Sequence, residues 1–255
     1  MLEQNPALDC ATLYAQVVAS YQAILGSLLI ALWDARFGVA TSGGAVISWT
    51  DMLQQIVLLA QSVPTRPVFG ADGTANFAGR PVVQSAVSGS KCLITANLTA
   101  PLLLATGSLP WLWTVCRLRT IGTGSNSTIM QVVDNPVTRA QPVFFSLSNL
   151  LKAQDGVTTV TTPSTYSDLT PHAYAHGYSP SGAVILNKDT VSIATPLGSG
   201  LSVKSPGGAK LSLGAAFNGT SPSDSSFATL LAMSAQPSAA QQSALLAVDK
   251  YLWQF

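Results

Sequence analysis

Residues 234–255 read SAQPSAAQQSALLAVDKYLWQF and differ in kind from the chain before them. Leu245, Val248 and Leu252 recur at helical spacing, with Leu246 and Trp253 beside them. Ser238 is placed to N-cap this helix, because its hydroxyl oxygen accepts from a first-turn amide, and Pro237 stands just before it. The segments upstream are strand-length apolar runs at intervals of roughly 8–12 residues, broken by turn residues. A lone helix closing a series of strands buries its apolar stripe against the sheet. It is expected at a sheet edge, covering strand groups that would otherwise lack partners. The pattern predicts an all-β sandwich or barrel with a short C-terminal capping helix.

Outward from that end, WLWTVCRLRTI (111–121) alternates: Trp111, Trp113, Val115 and Arg117 fall on one face, with Leu112, Cys116 and Leu118 on the other. The two tryptophans read as anchors of an inner strand face, since large aromatics dominate core burial. GGAVISWTDM (43–52) sets Val46, Ser48 and Thr50 against Ile47 and Trp49, again a strand. Near the start, Leu13, Val17, Tyr21, Ile24 and Leu28 recur at helical spacing and predict an amphipathic helix over about 9–25. Cys10 to Trp33 is free of charge, but Thr12, Gln16, Ser20 and Gln22 interrupt it, so a packing helix fits better than a membrane anchor. Glu3 and Asp9 stand where a secretory signal would be basic. No repeat or linker divides the rest, giving an N-terminal helical attachment or oligomerisation segment over 1–27 and one β domain over 28–255.

Hydrophobic residues make up 47% of the 255 and charged residues only 9%, against about 25% in ordinary soluble domains. So little charge on so large a chain suggests surface covered by partners, and a homo-oligomer is expected. Net charge is +1 with no run of Lys or Arg, which argues against nucleic acid, whose phosphates demand a basic patch. The three cysteines, Cys10, Cys92 and Cys116, lack metal-ligand spacing and read as small, reduced, buried residues. The sequons at Asn97, Asn126 and Asn218 read as incidental.

Three stretches, in order, resemble a known family. ALWDARFGVATSGGAVISWTDM (31–52) is similar to the opening of a concanavalin A-like jelly roll of the laminin-G type. The match rests on Trp33, Asp34, Ala35, Ser42 to Gly44, Trp49 and Asp51. RPVFGADGTANFAGRPVVQSA (66–86) resembles its next element, a loop leading into a Gly-x-Pro-x-Val strand at Gly79 to Val83. FATLLAMSAQPSAAQQSALLAVDKYL (227–252) resembles its closing strand and helix, with Gln241 where Glu is common. The resemblance implies a two-sheet concanavalin A-like jelly-roll sandwich, with the leading helix outside the pattern. Such domains are frequent in bacteriophage virion proteins and bacterial surface proteins.

The same fold class contains glucanases, and glycoside hydrolysis needs two carboxyl groups flanking the bond. This chain has a single Glu, Glu3, and its eleven acids are scattered with no i, i+2 pair, so a glycosidase is not expected. No phosphate-cradling loop and no G-x-S-x-G elbow is present. Asn187 and Asp189 in NKDT are too few for calcium and read as a solvated turn. The most pointed cluster is HAYAHGYS (172–179), where a strand sets His172, Tyr174, His176 and Tyr178 on one face and Ala173, Ala175 and Gly177 on the other. Three readings stay open for it: core packing, an interface or glycan contact, and a partial metal site.

These features lead to the expectation of a non-enzymatic structural protein of a bacteriophage virion, a capsid decoration, head-fibre or tail component. It would work through contacts with other virion proteins and host-surface glycan, without cofactor or metal. The alternatives are a carbohydrate-binding module, which would show an exposed aromatic platform, and a membrane-anchored bacterial surface protein.

Overall fold

A computed structural model describes residues 9–53, 56–60, 65–73, 76–95, 110–120, 127–134, 140–145, 150–154, 159–162, 169–178, 184–193, 209–216 and 220–255. The sequons at Asn97, Asn126 and Asn218 lie outside them.

The expected architecture is present: an antiparallel β sandwich with one helix at each end. Helix α1 (Cys10–Leu25) begins at Asp9, whose Oδ1 accepts from the Thr12 amide at 2.7 Å. Strand β1 (Leu29–Asp34) follows, then the hairpin β2 (Val39–Ser42) and β3 (Ala45–Thr50). Gly43 and Gly44 turn that hairpin with φ of 58° and 77°, a left-handed pair that glycine adopts without steric cost. The next strands are β4 (Val57–Leu59), β5 (Val68–Ala71), β6 (Pro81–Gln84), β7 (Leu93–Thr95), β8 (Trp111–Leu118) and β9 (Ser127–Asp134). Then come β10 (Ala140–Phe145), β11 (Leu151–Gln154), β12 (Thr159–Thr161), β13 (Pro171–Tyr178) and β14 (Val184–Lys188). The chain closes with β15 (Val191–Ser192), β16 (Ala209–Leu213), β17 (Ser225–Met233) and helix α2 (Ala239–Trp253).

One layer runs β1–β17–β8–β13–β14–β15, all antiparallel. The other runs through β2, β3, β4, β7, β16, β9, β10, β11 and β12, with β5 and β6 attached at β3. The layers join where Ser226 and Phe227 of β17 pair with Gln84 and Val83 of β6. A second stitch is reciprocal: Trp33 Nε1 donates to the Trp49 carbonyl at 3.2 Å, and Trp49 Nε1 to the Asp34 carbonyl at 3.3 Å. Both indoles are fully buried, so each buried N–H has its acceptor.

β1 and β17 are buried along their whole length, and β8 at every position but Arg117. Both faces of this layer are therefore covered, one by the second layer and the other by the helices. Trp111 and Trp113 are core anchors, as the alternation of β8 indicates. The alternation expected for β3 fails at one point. Ala40 pairs with Ser48 but Thr41 with Val46, leaving Ile47 unpaired in a β-bulge. The extra residue turns Val46 and Trp49, three apart, both inward, and leaves Ile47 exposed.

Helix α2 starts as the sequence indicates. The Ser238 Oγ accepts from the Gln241 amide at 3.2 Å, and Gln241 Oε1 accepts from the Ser238 amide at 2.9 Å. Its placement differs from the edge position expected. Its side chains reach inward-facing residues of β8, β14 and β17, so it lies on the face of the layer: Asp249 meets Trp113, Gln242 meets Asn187, and Trp253 meets Thr229. Val17 and Tyr21 of α1 are fully buried in the common core, with Leu13 and Ile24 of the helix and Leu28 of the turn after it packed against it. The face expected to serve attachment or oligomer contact is taken up by the chain's own core. Of the cysteines, Cys92 and Cys116 are buried as expected, but Cys10 is exposed at the start of α1, and all three are free thiols. Burial pushes the Cys92 thiol up to about 11, which makes it unreactive at neutral pH.

The small residues of β13 have a defined purpose. A Cβ at Gly177 would stand 2.5 Å from three atoms of the Trp111 ring, which is itself 2% exposed. Gly177→Ala is expected to lose about 2–3 kcal/mol of stability, because the ring has nowhere to retreat in a close-packed interior. Chemical denaturation measures this; a loss within error would show that Trp111 repacks.

Candidate functional site

The described carboxylates fall into structural roles one by one. Asp9 caps α1. Asp34, fully buried, holds the Arg36 guanidinium through both oxygens, at 2.8 and 2.5 Å. Asp51 accepts from the Leu53 and Ile56 amides and pins the turn after β3. Asp72 pairs with Arg117 at 3.0 Å, and Asp224 accepts from the Val87 amide and the Thr120 hydroxyl. Asp249 sits beneath α2, fully buried, accepting from Tyr21 Oη at 2.5 Å and Trp113 Nε1 at 2.7 Å.

Asp249 is the most strongly perturbed of the described carboxylates. Burial lifts its pKa to about 7 against the opposing effect of its two donors, and the nearby Asp34 charge adds to the rise. Its site is closed by α1, α2 and β8, so it clasps the two helices to the sheet rather than meeting a ligand. The sequence gives no sign of this clasp, because Tyr21, Trp113 and Asp249 are distant in the chain and each looks like a stripe or surface residue.

The partly exposed polar groups gather at the start of β13. His172 Nδ1 lies 2.5 Å from Asp189 Oδ2, and His172 Nε2 lies 2.9 Å from Thr170 Oγ1. Asp189 Oδ1 accepts from the Ala173 amide at 2.9 Å, and the Asp189 amide donates to the Ala173 carbonyl at 2.8 Å. The carboxylate therefore extends the β13–β14 ladder while holding the imidazole. Partial burial pushes the Asp189 carboxyl up, but hydrogen bonds from His172 and the Ala173 amide outweigh this and hold it below its ordinary value. Side-chain exposure is 14% for His172 and 27% for Asp189, while Thr170 and Leu169 are exposed. The neighbouring Arg117, on β8, donates from Nε to the Leu169 carbonyl at 2.8 Å and is fixed behind by Asp72. A hydroxyl, an imidazole, a carboxylate and a guanidinium thus meet on one small rim.

The residues singled out from the sequence separate here. His172 is at the rim. Tyr174 and His176 are fully buried, so neither offers a surface to glycan or partner, and His176 Nδ1 lies 2.9 Å from the Ile185 carbonyl. The side chain of Tyr178 lies outside the described residues. Asp189 lies in the turn between β14 and β15, as expected, with its carboxylate on His172, but Asn187 is buried on β14 and donates to Gln242 Oε1 at 2.8 Å. Among the described residues, no group of three His, Cys, Asp or Glu is arranged to hold a metal, and no helix is long and apolar enough to cross a membrane.

An antiparallel sandwich closed by a C-terminal helix defines the class. No family model matches the sequence, and no curated protein matches it. Solved structures match the fold. Trypanosoma rangeli sialidase aligns over 96% of this chain and 39% of its own, with a TM-score of 0.59 and 7% identity. The same enzyme in complex with sialic acid aligns over 96% of this chain and 39% of its own, with a TM-score of 0.55 and 8% identity. The carbohydrate-binding domain CBM40 of the Ruminococcus gnavus IT-sialidase aligns over 55% of this chain and 82% of its own, at 12% identity. Its TM-score of 0.42 is too low to carry an argument. The chain spans about two fifths of the sialidases it matches, and identities this low establish the fold alone.

These neighbours correct the expectation of a bacteriophage capsid decoration, head-fibre or tail protein. Structures that share the architecture over nearly the whole chain include sialidases. Low charge and an order of jelly-roll motifs describe a scaffold, and a scaffold hosts many functions.

Proposed function

We propose that this chain is a carbohydrate-binding β-sandwich domain whose contact site is the rim formed by Thr170, His172, Asp189 and Arg117. The observation that carries the reading is the geometry of this rim. Four side chains of complementary hydrogen-bonding type stand partly exposed and are held by the strand ladder and by one another. Sugar recognition needs that combination: a carboxylate to accept from ring hydroxyls, and a guanidinium and hydroxyl to donate. Because the groups are already fixed, little side-chain entropy is lost on binding. The sialidase-like fold supports the reading at the level of architecture. The binding domain acts by holding sugar. An aromatic platform at Tyr174 is no part of this site, since that ring is buried.

A glycan array that spans neutral and sialylated oligosaccharides, read with the intact chain, tests this. Retention of a defined glycan is expected, weakened at least about tenfold by His172→Ala or by Arg117→Lys, which keeps the charge but loses the planar fork. No retained glycan, or retention indifferent to both substitutions, overturns it.

A further inference from the structure

We infer that Thr170, His172 and Asp189 form a nucleophile–base–carboxylate relay able to carry out acyl transfer on an ester. The inference goes beyond sugar binding and stands apart from it. Three distances carry it. Asp189 Oδ2 at 2.5 Å from His172 Nδ1 requires the proton of the neutral ring to sit on Nδ1, since a carboxylate only accepts. The lone pair is then on Nε2, which faces the Thr170 hydroxyl at 2.9 Å and is the acceptor for its proton. Asp189 itself cannot swing away, because its other oxygen takes the Ala173 amide at 2.9 Å. This is the order of roles that defines hydroxyl–imidazole–carboxylate catalysis on unrelated folds, where geometry rather than sequence order identifies the set.

The surroundings fit the role. Thr170 is exposed, so a carbonyl carbon can reach its oxygen. Arg117 donates to the Leu169 carbonyl, one residue from the hydroxyl, and Asp72 holds its guanidinium from the other side. The remaining described carboxylates have other partners, so Asp189 is the one available to orient His172.

The chemistry balances without a further reagent. The Thr170 oxygen attacks the ester carbonyl carbon while its proton passes to His172 Nε2. The tetrahedral adduct collapses, and the departing alkoxide takes that proton and leaves as the alcohol. Water then attacks the acyl-threonine by the same route, releasing the carboxylic acid and restoring the hydroxyl. Asp189 acts through His172 and is a positioning residue.

The test uses the full chain with p-nitrophenyl acetate, following p-nitrophenolate release and locating the acetyl group by peptide mass spectrometry. Release above the buffer rate is expected, with acetylation at Thr170. Thr170→Val, nearly isosteric and at an exposed position, is expected to abolish both. Asp189→Asn presents its amide N–H to Nδ1 and so forces the other tautomer, in which Nε2 carries the proton and cannot accept from Thr170. It is expected to slow acylation at least tenfold, and Asp189→Glu is expected to restore part of the rate. Wild-type release equal to that of Thr170→Val, or acetyl found at another residue, overturns the inference. Glycan retention by Thr170→Val, measured separately, reports on binding and leaves this outcome distinct.

Discussion

Trp253→Ala is expected to cost about 3–5 kcal/mol, the largest effect of any single truncation of α2. The indole is fully buried near the end of the helix. It meets Phe77 edge to face at 5.9 Å, carries the Arg36 guanidinium over its ring at 5.1 Å, and donates from Nε1 to Thr229 Oγ1 at 2.8 Å. Truncation opens a cavity, strips the face from a guanidinium paired with a buried aspartate, and leaves a buried hydroxyl one donor short. Trp253→Phe keeps the ring contact and loses the hydrogen bond, so it is expected to fall between. Urea unfolding of the three proteins checks the order. Equal midpoints would mean that α2 contributes little to the core it covers.

The second large effect is a pH dependence set by Asp249. Its pKa in the folded protein is raised to about 7 from the 3.8 of an ordinary aspartate. A raised carboxyl binds its proton more tightly in the folded state, so its contribution is fully present below the unfolded value. It declines as pH rises through the window and is gone above about 7. The slope is about 1.4 kcal/mol per pH unit across most of that window. Asp189 acts in the opposite sense and elsewhere: its lowered pKa contributes stability that is lost as pH falls below the ordinary carboxylate range. Tyr21, whose phenol is pushed well above its usual value by burial and by Asp249, keeps its proton throughout the window. Asp249→Asn retains an acceptor for Trp113 and presents a donor to Tyr21, whose hydroxyl can accept instead. That variant is expected to remain folded and to show a flat profile between pH 4 and 7. Thermal midpoints across that range decide it, and an unchanged slope in the variant would assign the dependence to another group.

Both predictions concern contacts that the sequence conceals. In α2 the stripe of Leu245, Val248 and Leu252 is legible, yet the buried face also carries Gln242 and Asp249. A polar residue at helical spacing looks like a solvent-facing one until a partner from another element is placed beside it. The rim is hidden for the same reason. Thr170 just precedes β13 and His172 lies on it, but Asp189 reaches them only when β14 returns antiparallel to β13.

What the sequence determined by itself is local. Period defines both helices, with a capping residue for the C-terminal one, and alternation with turn residues defines strands such as β8 and β13. Strand-length apolar runs broken by turn residues give an all-β core. These follow from backbone sterics and side-chain spacing within a few residues, which are written in the order of the chain. Only the tertiary structure decided that α2 lies on a sheet face, that the leading helix packs into the same core, and that a bulge at Ile47 turns Val46 and Trp49 to one side. It also decided which histidine of the pair is buried and which meets a carboxylate. Those outcomes depend on register and on groups brought together across long separations, where a shift of one residue turns every side chain of a strand to the opposite face.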